Sequence, residues 1–250
     1  MLRPEYPVFV LTLPGAEDRR RQLVRSLTDL GIEHELFFGV DGRNGLPPEA
    51  EAMVDREEAL RVNWRHLSDA EYACALSHLA AQAEIGKRGL PGAVILEDDA
   101  LIGEPFRRFI EAGAWRCAAM VLLDHGNTLV TRHPPRPIIE GVVGYRIAVP
   151  PYRSTGYALS ARAAGTIRRR SLPLRYHADW TCNIARLQCL AAMPRLVTPE
   201  PTVSSVSNLS PTRAPAQQVW VRPRVSLLRE IRDLDGMFYR LGRRMGRPLE

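Results

Sequence analysis

The first forty residues alternate between short apolar runs and one amphipathic segment, and this order limits the possible folds more than any other feature. Residues 8–13 are almost entirely apolar and partly β-branched, with prolines on both sides. That composition is typical of a buried parallel strand. A polar helix is predicted over residues 17–30, ended by Gly31, and a second strand over residues 33–38. Strand, helix and strand in this order predict an α/β layered fold.

Two later segments support the same fold class. Ser68 and Glu71 have the spacing of a capping box, in which each side chain bonds to the backbone N–H of the other residue. The helix that follows is predicted to run to Lys87. Residues 93–96 then form the most convincing strand of the chain, because four apolar residues follow a Gly-Leu-Pro-Gly turn.

The remaining elements of the body are predicted from shorter patterns. Strands are expected at residues 120–123 and 144–149, and a helix is expected over residues 160–170 with a serine as its cap. Residues 43–66 are charged and irregular, which indicates either a helical excursion or a loop. Residues 194–215 are rich in Pro, Ser and Thr and are predicted to be mostly loop.

The basic charge of the chain lies mainly at its C-terminus. Residues 211–250 contain nine arginines and four acids, so they carry +5 of the net charge of +6. A nearly neutral body argues against a nucleic-acid-binding protein. Apolar residues recur at helical spacing over residues 227–241, which predicts a basic amphipathic helix. We therefore divide the chain into a domain, residues 1–210, and a tail, residues 211–250, that either contacts an anionic membrane surface or docks on the body.

The pattern of apolar residues predicts a cytoplasmic protein, peripheral on the membrane if the tail binds lipid. No run of about eighteen apolar residues is present, and the N-terminus lacks the order of a secretory signal. No CxxC pair occurs, so reduced and mostly buried thiols are expected. The four cysteines are Cys74, Cys117, Cys182 and Cys189.

Three successive acids, Glu97, Asp98 and Asp99, follow directly after the strand at residues 93–96. The carboxyl ends of strands in an α/β sheet are where ligands bind. Adjacent carboxylates repel one another, and a cation relieves that repulsion. Hard oxygen ligands favour Mg²⁺ or Mn²⁺, which also take substrate phosphates as ligands. The alternative is a solvated acidic turn, and the triplet alone does not distinguish glycosyl transfer from phosphate hydrolysis or nucleotidyl transfer.

Four blocks of the sequence resemble glycosyltransferase family 25, the lipopolysaccharide and lipooligosaccharide galactosyl- and glucosyltransferases. They are VFVLTL with the following arginine-containing helix, FFGVDGR, LSDAEYACALSHLAAQAEIGKRGLPGAVILEDDALI, and STGYALSARAAGTI followed by HADW. The third block is the most specific. In the first block Thr12 replaces the usual asparagine and Pro14 replaces an acid. The resemblance spans about residues 8–205.

The resemblance implies a GT-A-like (Rossmann-like) fold with a central, mostly parallel sheet flanked by helices. It implies an inverting transferase that uses Mn²⁺ or Mg²⁺, a UDP-sugar donor such as UDP-galactose or UDP-glucose, and a glycan or lipid-linked saccharide acceptor. Asp99 is the expected metal ligand and Asp98 assists through the metal or the donor ribose. Asp179 is the expected catalytic base, which takes the proton of the acceptor hydroxyl. His177 is either a metal ligand or a packing residue.

Several other side chains are candidates for the donor site, and each has a structural alternative. The expected donor-binding residues are Thr12, Leu13, Arg19, Asp41, His78, Glu97 and Asp98. Arg19 can neutralise phosphate or lie on a solvated helix face, and Asp41 can touch the nucleotide or shape an Asp-Gly turn. His78 either faces the donor or bonds within the core. For Glu71 the capping box is the favoured explanation, and Cys74 is expected to be a buried thiol.

Three functional hypotheses remain open from the sequence. The first is a metal-dependent hexosyltransferase that builds a cell-surface glycan such as the lipopolysaccharide core. The second is a metal-dependent phosphohydrolase or nucleotidyltransferase that uses the same acids. The third is an inactive membrane-associated adaptor with a transferase fold, which the residues at Thr12 and Pro14 keep open. No P-loop motif and no GxGxxG after the first strand are present, which weakens kinase and dehydrogenase hypotheses.

Overall fold

The computed structural model describes residue 2 and residues 4–177, 179–201 and 234–249. Within these residues the strands are β1 Val8–Thr12, β2 His34–Phe38, β3 Gly92–Glu97, β4 Ala100–Ile102, β5 Met120–Leu122, β6 Leu129–Val130, β7 Arg136–Ile139, β8 Val142–Arg146, β9 Gly156–Ser160, β10 Leu190–Met193, β11 Val197–Pro199 and β12 Arg247–Pro248. The helices are α1 Glu17–Asp29, α2 Pro48–Glu51, α3 Arg56–Asn63, α4 Asp69–Lys87, α5 Glu104–Glu111, α6 Ala161–Ser171 and α7 Leu234–Met245.

The central sheet has eight strands in the order β2-β1-β3-β9-β5-β10-β8-β7. Strand β1 pairs in parallel with β2 and β3, and β5 pairs in parallel with β10. Strands β9 and β8 run against their neighbours on both sides. The α/β prediction is confirmed, but the mostly parallel sheet is corrected to a mixed sheet. The physical reason is partly local: β7 and β8 are joined by a tight turn at Gly141, and such hairpins are necessarily antiparallel.

The two faces of the sheet are buried by different helices. Along β1, Val8 and Val10 face the helices α1 and α5, while Phe9 and Leu11 face α4 and α6. Successive side chains of a strand point to opposite faces, so a continuous apolar run is what a strand covered on both sides requires. The layered arrangement holds the carboxyl ends of β1 and β3 side by side.

Most of the predicted elements are present. The strands at residues 8–13, 33–38, 93–96 and 120–123 and the helices at residues 17–30 and 160–170 are confirmed to within a few residues. The strand predicted at residues 144–149 begins earlier, as β8. Residues 43–66 contain α2 and α3, so the helical alternative is correct there. The predicted loop at residues 194–215 contains β11, and its part beyond residue 201 lies outside the described residues.

The described end of the tail packs on the body. Strand β12 pairs with β6, and the ring of Phe238 on α7 lies 4.9 Å from the guanidinium of Arg186. A Cβ at Gly242 would collide with the carbonyl oxygen of Ala148, so only glycine allows this close approach of α7. The docking alternative therefore holds for residues 234–249. The domain boundary at residue 210 and the start of the predicted helix at residue 227 lie outside the described residues, and membrane contact remains a prediction.

In the part of the chain that the structure describes, none of the helices has both the length and the apolar composition needed to span a bilayer.

Candidate functional site

An open cleft of about 160 Å³ lies where β1 and β3 end. Thr12 is the last residue of β1 and Glu97 the last residue of β3, so the cleft opens at the carboxyl edge of the sheet. This is the place that an α/β topology predicts for a ligand. Among the residues predicted for the donor or the metal, those that line the cleft are Thr12, Leu13, Arg19, His78, Glu97, Asp98 and Asp99.

Asp98 is fixed by the protein through both of its carboxylate oxygens. The hydroxyl of Thr12 donates to Oδ2 at 3.0 Å. Arg19 donates to Oδ1 from Nε at 3.0 Å and from Nη2 at 2.9 Å. Asp98 is only 7% exposed, so this bonding neutralises a carboxylate that water reaches poorly. Thr12 is therefore a hydrogen-bond donor that holds the acid triplet in place.

Asp99 is the incompletely satisfied carboxylate of the triplet. Its Oδ2 accepts from Nη2 of Arg19 at 3.2 Å, but its Oδ1 is buried and has no hydrogen-bond partner. Burial and, next, the charge of Glu97 raise the pKa of Asp99 to about 7, although Arg19 opposes this shift. A buried acceptor without a donor is costly in a folded protein and calls for a ligand, a water or an ion. Asp99 has the features of such a ligand position.

Glu97 points to the other face of the sheet and is held there by polar side chains. The hydroxyl of Ser154 donates to Oε1 at 2.6 Å, and Nε2 of His78 lies 3.2 Å from the same oxygen. Nδ1 of His78 is in turn 3.0 Å from the hydroxyl of the buried Tyr157. Burial acts to raise the pKa of Glu97, but the contacts with His78 and Ser154 outweigh it, so that pKa lies below its usual range. His78 therefore bonds within the core and also lines the cleft, and its contact with the donor remains a prediction.

Two residues of this site were missed by sequence reasoning. Ser154 is the first residue of the matched STGYALS segment, but nothing in its own neighbourhood predicts contact with Glu97. Arg43 lines the cleft at the end of FFGVDGR, and it bonds to the carbonyl oxygen of Pro14 at 3.2 Å. Asp41 does not line the cleft. Its carboxylate accepts from Arg43 at 2.6 Å and from the Arg43 backbone N–H at 3.0 Å, which is the turn arrangement.

The predicted base Asp179 lies near the cleft but is not among its lining residues. Cys74 lines the cleft, and the pKa of its thiol is raised first by burial and then by nearby negative charges. The charge of Asp179 is one of these, after that of Glu97 and before those of Asp99 and Asp98. The neighbouring Trp180 ring packs edge-on against Tyr157, with 5.4 Å between ring centroids. The segment that carries Asp179 therefore borders the site. Its role as the base remains a prediction.

The geometry gives no support to His177 as a metal ligand. His177 does not line the cleft. Over residues 4–177 and 179–201 and the end of the tail, no group of three His, Cys, Asp or Glu side chains is close enough to hold an ion by itself. A metal at this site would therefore need ligands from the substrate or from water, which is how Mg²⁺ is commonly bound.

Glu71 has the structural role that the capping box predicts. Its carboxylate accepts from Arg65 at 2.6 Å and from the backbone N–H of Ser68 at 3.0 Å, and Ser68 caps α4 in return. Burial acts against ionisation, but Arg65 and Ser68 outweigh it and hold the pKa of Glu71 below its usual range. Glu71 therefore anchors the start of the helix that carries Cys74 and His78.

We expect Glu71→Ala to lower the free energy of unfolding by about 3 kcal/mol at pH 7, because a buried charged hydrogen-bond pair and a helix cap are lost. A carboxyl with a lowered folded pKa stabilises above its unfolded pKa, and this contribution disappears as the pH falls through the folded value. Urea titrations should therefore show the difference from the parent protein shrinking below about pH 4. Glu57→Ala on the exposed face of α3 is the control. Activity lost without loss of stability would contradict the structural role.

Comparison with known proteins identifies the family. The model of Glycosyltransferase family 25 (LPS biosynthesis protein) matches residues 5–140. Lacto-N-neotetraose biosynthesis glycosyltransferase LgtB of Neisseria meningitidis serogroup B is 30% identical over 108 residues, which are 42% of this chain and 37% of that protein. Procollagen galactosyltransferase 2 of Mus musculus is 26% identical over 175 residues, 64% of this chain and 28% of that protein.

A third relative carries a different description. Inactive glycosyltransferase 25 family member 3 of Mus musculus is 28% identical over 169 residues, which are 63% of this chain and 28% of that protein. The chain thus spans 37% or less of the length of these curated relatives. The family match covers more than half of the 250 residues and includes β1, β3 and the acid triplet. The chain belongs to glycosyltransferase family 25.

Proposed function

We propose that this protein transfers a hexose, galactose or glucose, from a UDP-sugar to a saccharide acceptor of a cell-surface glycan such as lipopolysaccharide, with inversion at the anomeric carbon. The observation that carries this proposal is Asp99, which lines the cleft at the carboxyl edge of the sheet and has a buried Oδ1 without a hydrogen-bond partner. Family membership supplies the reaction class, and the lipopolysaccharide and lacto-N-neotetraose named for the family and its relatives supply the class of acceptor.

The residues of the cleft fit a divalent cation. Glu97, Asp98 and Asp99 all line the cleft, and Arg19 pairs with two of them, Asp98 and Asp99. The excess negative charge and the free Oδ1 of Asp99 suit Mn²⁺ or Mg²⁺ with donor phosphates and water as the other ligands. When bound, the ion supplies a Lewis acid that takes up charge on the departing diphosphate.

The protein's own side chains position the reactants. Thr12 and Arg19 fix the carboxylate of Asp98, and Ser154 and His78 fix that of Glu97, so the triplet is held in one geometry before the donor arrives. Such preorganisation lowers the barrier because little rearrangement is needed during reaction. Arg43 at the cleft wall adds a guanidinium that can pair with a donor phosphate.

Inversion requires one in-line attack by the acceptor hydroxyl, with a base that accepts its proton. We assign this base to Asp179, whose charge acts on Cys74 in the cleft wall. A carboxylate close to the sugar can take the proton as the new bond forms. The hydroxyl oxygen then bonds to the anomeric carbon, and UDP leaves with the bonding electrons.

We expect slow hydrolysis of UDP-galactose or UDP-glucose in the presence of Mn²⁺ even without an acceptor, because water can replace the acceptor hydroxyl. Release of UDP is measured across a panel of nucleotide sugars, and it should fall to background in EDTA. Asp18→Asn, a change at an exposed acid of α1, is the control and should keep the parent rate. Equal rates with Mn²⁺ and with EDTA would contradict the metal-dependent reaction.

The same assay separates the two alternative functions. A phosphohydrolase or nucleotidyltransferase would turn over simple phosphate esters or nucleoside triphosphates regardless of the sugar. One of the similar proteins is described as an inactive family member, which supports testing the adaptor hypothesis. An inactive adaptor would bind lipid vesicles through its tail and release no UDP.

A further inference from the structure

A second group of charged and aromatic side chains lies on the same sheet edge, beside the acid triplet. It consists of Asp124, directly after β5, with Tyr152, Arg153 and Arg195, and we call it the Arg-Tyr cluster. Strand β9 runs against β3 and β5, so the residues before it lie at the carboxyl edge of both strands. Arg153 is next to Ser154, which donates to Glu97. The cluster is therefore close to Glu97, which lines the cleft.

Asp124 holds the two arginines together. It is fully buried, and Nη1 of Arg195 donates to its Oδ1 at 3.2 Å, while Nη1 of Arg153 is 3.8 Å from the same oxygen. The two arginine side chains remain 45% and 37% exposed. Two guanidiniums this close repel each other, and the buried carboxylate between them makes the arrangement tolerable. The cluster keeps a net charge of +1 and turns its positive groups to solvent.

The guanidiniums have unused donors. Each carries five N–H groups in a planar fork that matches the oxygens of a carboxylate or phosphate. Within the described parts of the chain, Asp124 is the acid that pairs with both. Arg153 also has a φ of 77°, in the left-handed region that disfavours a residue with a Cβ. Strain of this kind persists where the surroundings force it, and it is concentrated at ligand-binding positions.

The loops that carry the cluster are joined to each other and to the sheet by hydrogen bonds. The backbones of Gly126 and Tyr152 exchange hydrogen bonds of 2.8 and 3.0 Å. Nε2 of His125 bonds to the carbonyl oxygen of Ala192 at 2.9 Å, and Nδ1 pairs with the Thr128 hydroxyl at 2.8 Å. Burial lowers the pKa of His125, which keeps the ring neutral. The site is therefore preformed, which reduces the entropy cost of binding.

Tyr152 adds an apolar surface beside the charges. Its side chain is 60% exposed although its backbone is held in the loop pair. An exposed aromatic ring offers a rigid apolar face with a polar tip, which suits the C–H face and hydroxyls of a sugar ring. A ring that stacks here would place its own acidic group over Arg153 and Arg195.

We propose that the Arg-Tyr cluster is the acceptor subsite and that it selects an acidic saccharide, one that carries a phosphate or a carboxylate. This inference rests on the proposed transferase function, because it places the acceptor next to the donor cleft. The acidic group pairs with Arg153 and Arg195, the sugar ring lies against Tyr152, and the reacting hydroxyl points toward Glu97 and the cleft.

The test is equilibrium binding of small probes, followed by ligand-observed NMR with UDP and the diamagnetic ion Mg²⁺ filling the donor cleft. The probes are glucose 6-phosphate, glucuronate, methyl glucoside and inorganic phosphate. We expect both acidic sugars to bind about ten-fold more tightly than methyl glucoside, because one additional charge-assisted hydrogen bond gives a gain in affinity of about this size. Inorganic phosphate should bind more weakly than glucose 6-phosphate, because it lacks the ring. Equal binding of the acidic and neutral sugars, or of both phosphates, would overturn the proposal.

Variants locate the binding. Arg153→Gln leaves Arg195 paired with Asp124, and it should remove most of the preference for acidic sugars without changing the affinity for UDP. The matched control is Arg108→Gln, an exposed arginine of α5, which should change nothing. Asp124→Asn with Arg195→Gln removes both members of the Asp124–Arg195 ion pair and so leaves no buried charge without its partner, which provides a second variant if the first is unstable. An unchanged preference in a folded Arg153→Gln protein would overturn the assignment.

UDP affinity distinguishes the two levels of failure. A parent protein that binds UDP but shows no preference for acidic sugars contradicts the acceptor subsite alone. A parent protein that binds no UDP contradicts the proposed transferase function, whatever the sugars do.

Discussion

Replacing Asp99 by asparagine is expected to reduce the rate of donor turnover by about a thousand-fold, the loss expected when several kcal/mol of transition-state charge stabilisation disappear. The amide keeps the size of the side chain but removes the charge that suits a divalent cation. The measurement is the UDP-release rate with Mn²⁺, parent against variant. Asp18→Asn serves again as the charge-matched control.

The same variant is expected to be more stable than the parent in the absence of metal at pH 8. The folded pKa of Asp99 is about 7, well above the ordinary value of 3.8. A carboxyl with a raised folded pKa makes the protein less stable as the pH rises from the unfolded to the folded value, because the folded state then has to give up a proton that it holds tightly. At pH 8 the full cost is present, at most about 4 kcal/mol, and asparagine avoids it.

Urea unfolding at pH 4 and pH 8 without metal tests whether the variant is more stable than the parent at the higher pH. The difference between variant and parent should be small at pH 4 and should favour the variant at pH 8. Mn²⁺ should then raise the stability of the parent more than that of the variant. A variant that is both inactive and less stable at pH 8 would indicate that Asp99 is a structural residue.

Arg19→Gln is expected to cause the second large effect. Arg19 donates to Asp98 twice and to Asp99 once, and its side chain is 21% exposed. Without Arg19, the carboxylates of Asp98 and Asp99 repel each other, because no guanidinium pairs with both. Removing one partner of a largely buried ion pair costs about 3–5 kcal/mol. For a chain of this size the melting temperature should fall by about 6–20 °C.

Added Mn²⁺ should restore part of the stability lost in Arg19→Gln, because a cation can replace the missing positive charge. Thermal unfolding with and without Mn²⁺ measures this. Arg21→Gln, on the solvent face of the same helix, is the control, since its partner Asp18 is exposed and surface pairs contribute little. A melting temperature that does not change in Arg19→Gln would contradict the role of Arg19 as the counter-ion of the triplet.

The elements that could be predicted are those whose signals are local. The apolar run of β1, the capping box of Ser68 and Glu71 and the apolar run of β3 each lie within a few residues of the structure that they specify. The position of the acid triplet also follows locally, because a strand end in an α/β sheet is a ligand site. The direction of β9 did not follow, since strand pairing depends on where the chain returns to the sheet.

The partners of the triplet could not be predicted because they are distant in sequence. Arg19 and Asp98 are 79 residues apart, and Ser154 and Glu97 are 57 residues apart. A single sequence shows which acids lie at the strand end, but not which donors the tertiary fold brings to them. The resemblance placed Arg19 near the donor. The structure adds that the guanidinium of Arg19 donates two hydrogen bonds to Asp98. Oδ1 of Asp99 is left without a hydrogen-bond partner.

Calorimetric titration of UDP, with Mn²⁺ and with EDTA, most directly tests whether an ion held by Asp99 gathers the donor diphosphate. The parent protein should bind UDP at least about ten-fold more tightly with Mn²⁺, a difference of one charge-assisted contact or more. Asp99→Asn should bind UDP equally weakly under both conditions. If the parent binds UDP with the same affinity in EDTA, or if Asp99→Asn keeps the full effect of Mn²⁺, the metal role of Asp99 is wrong.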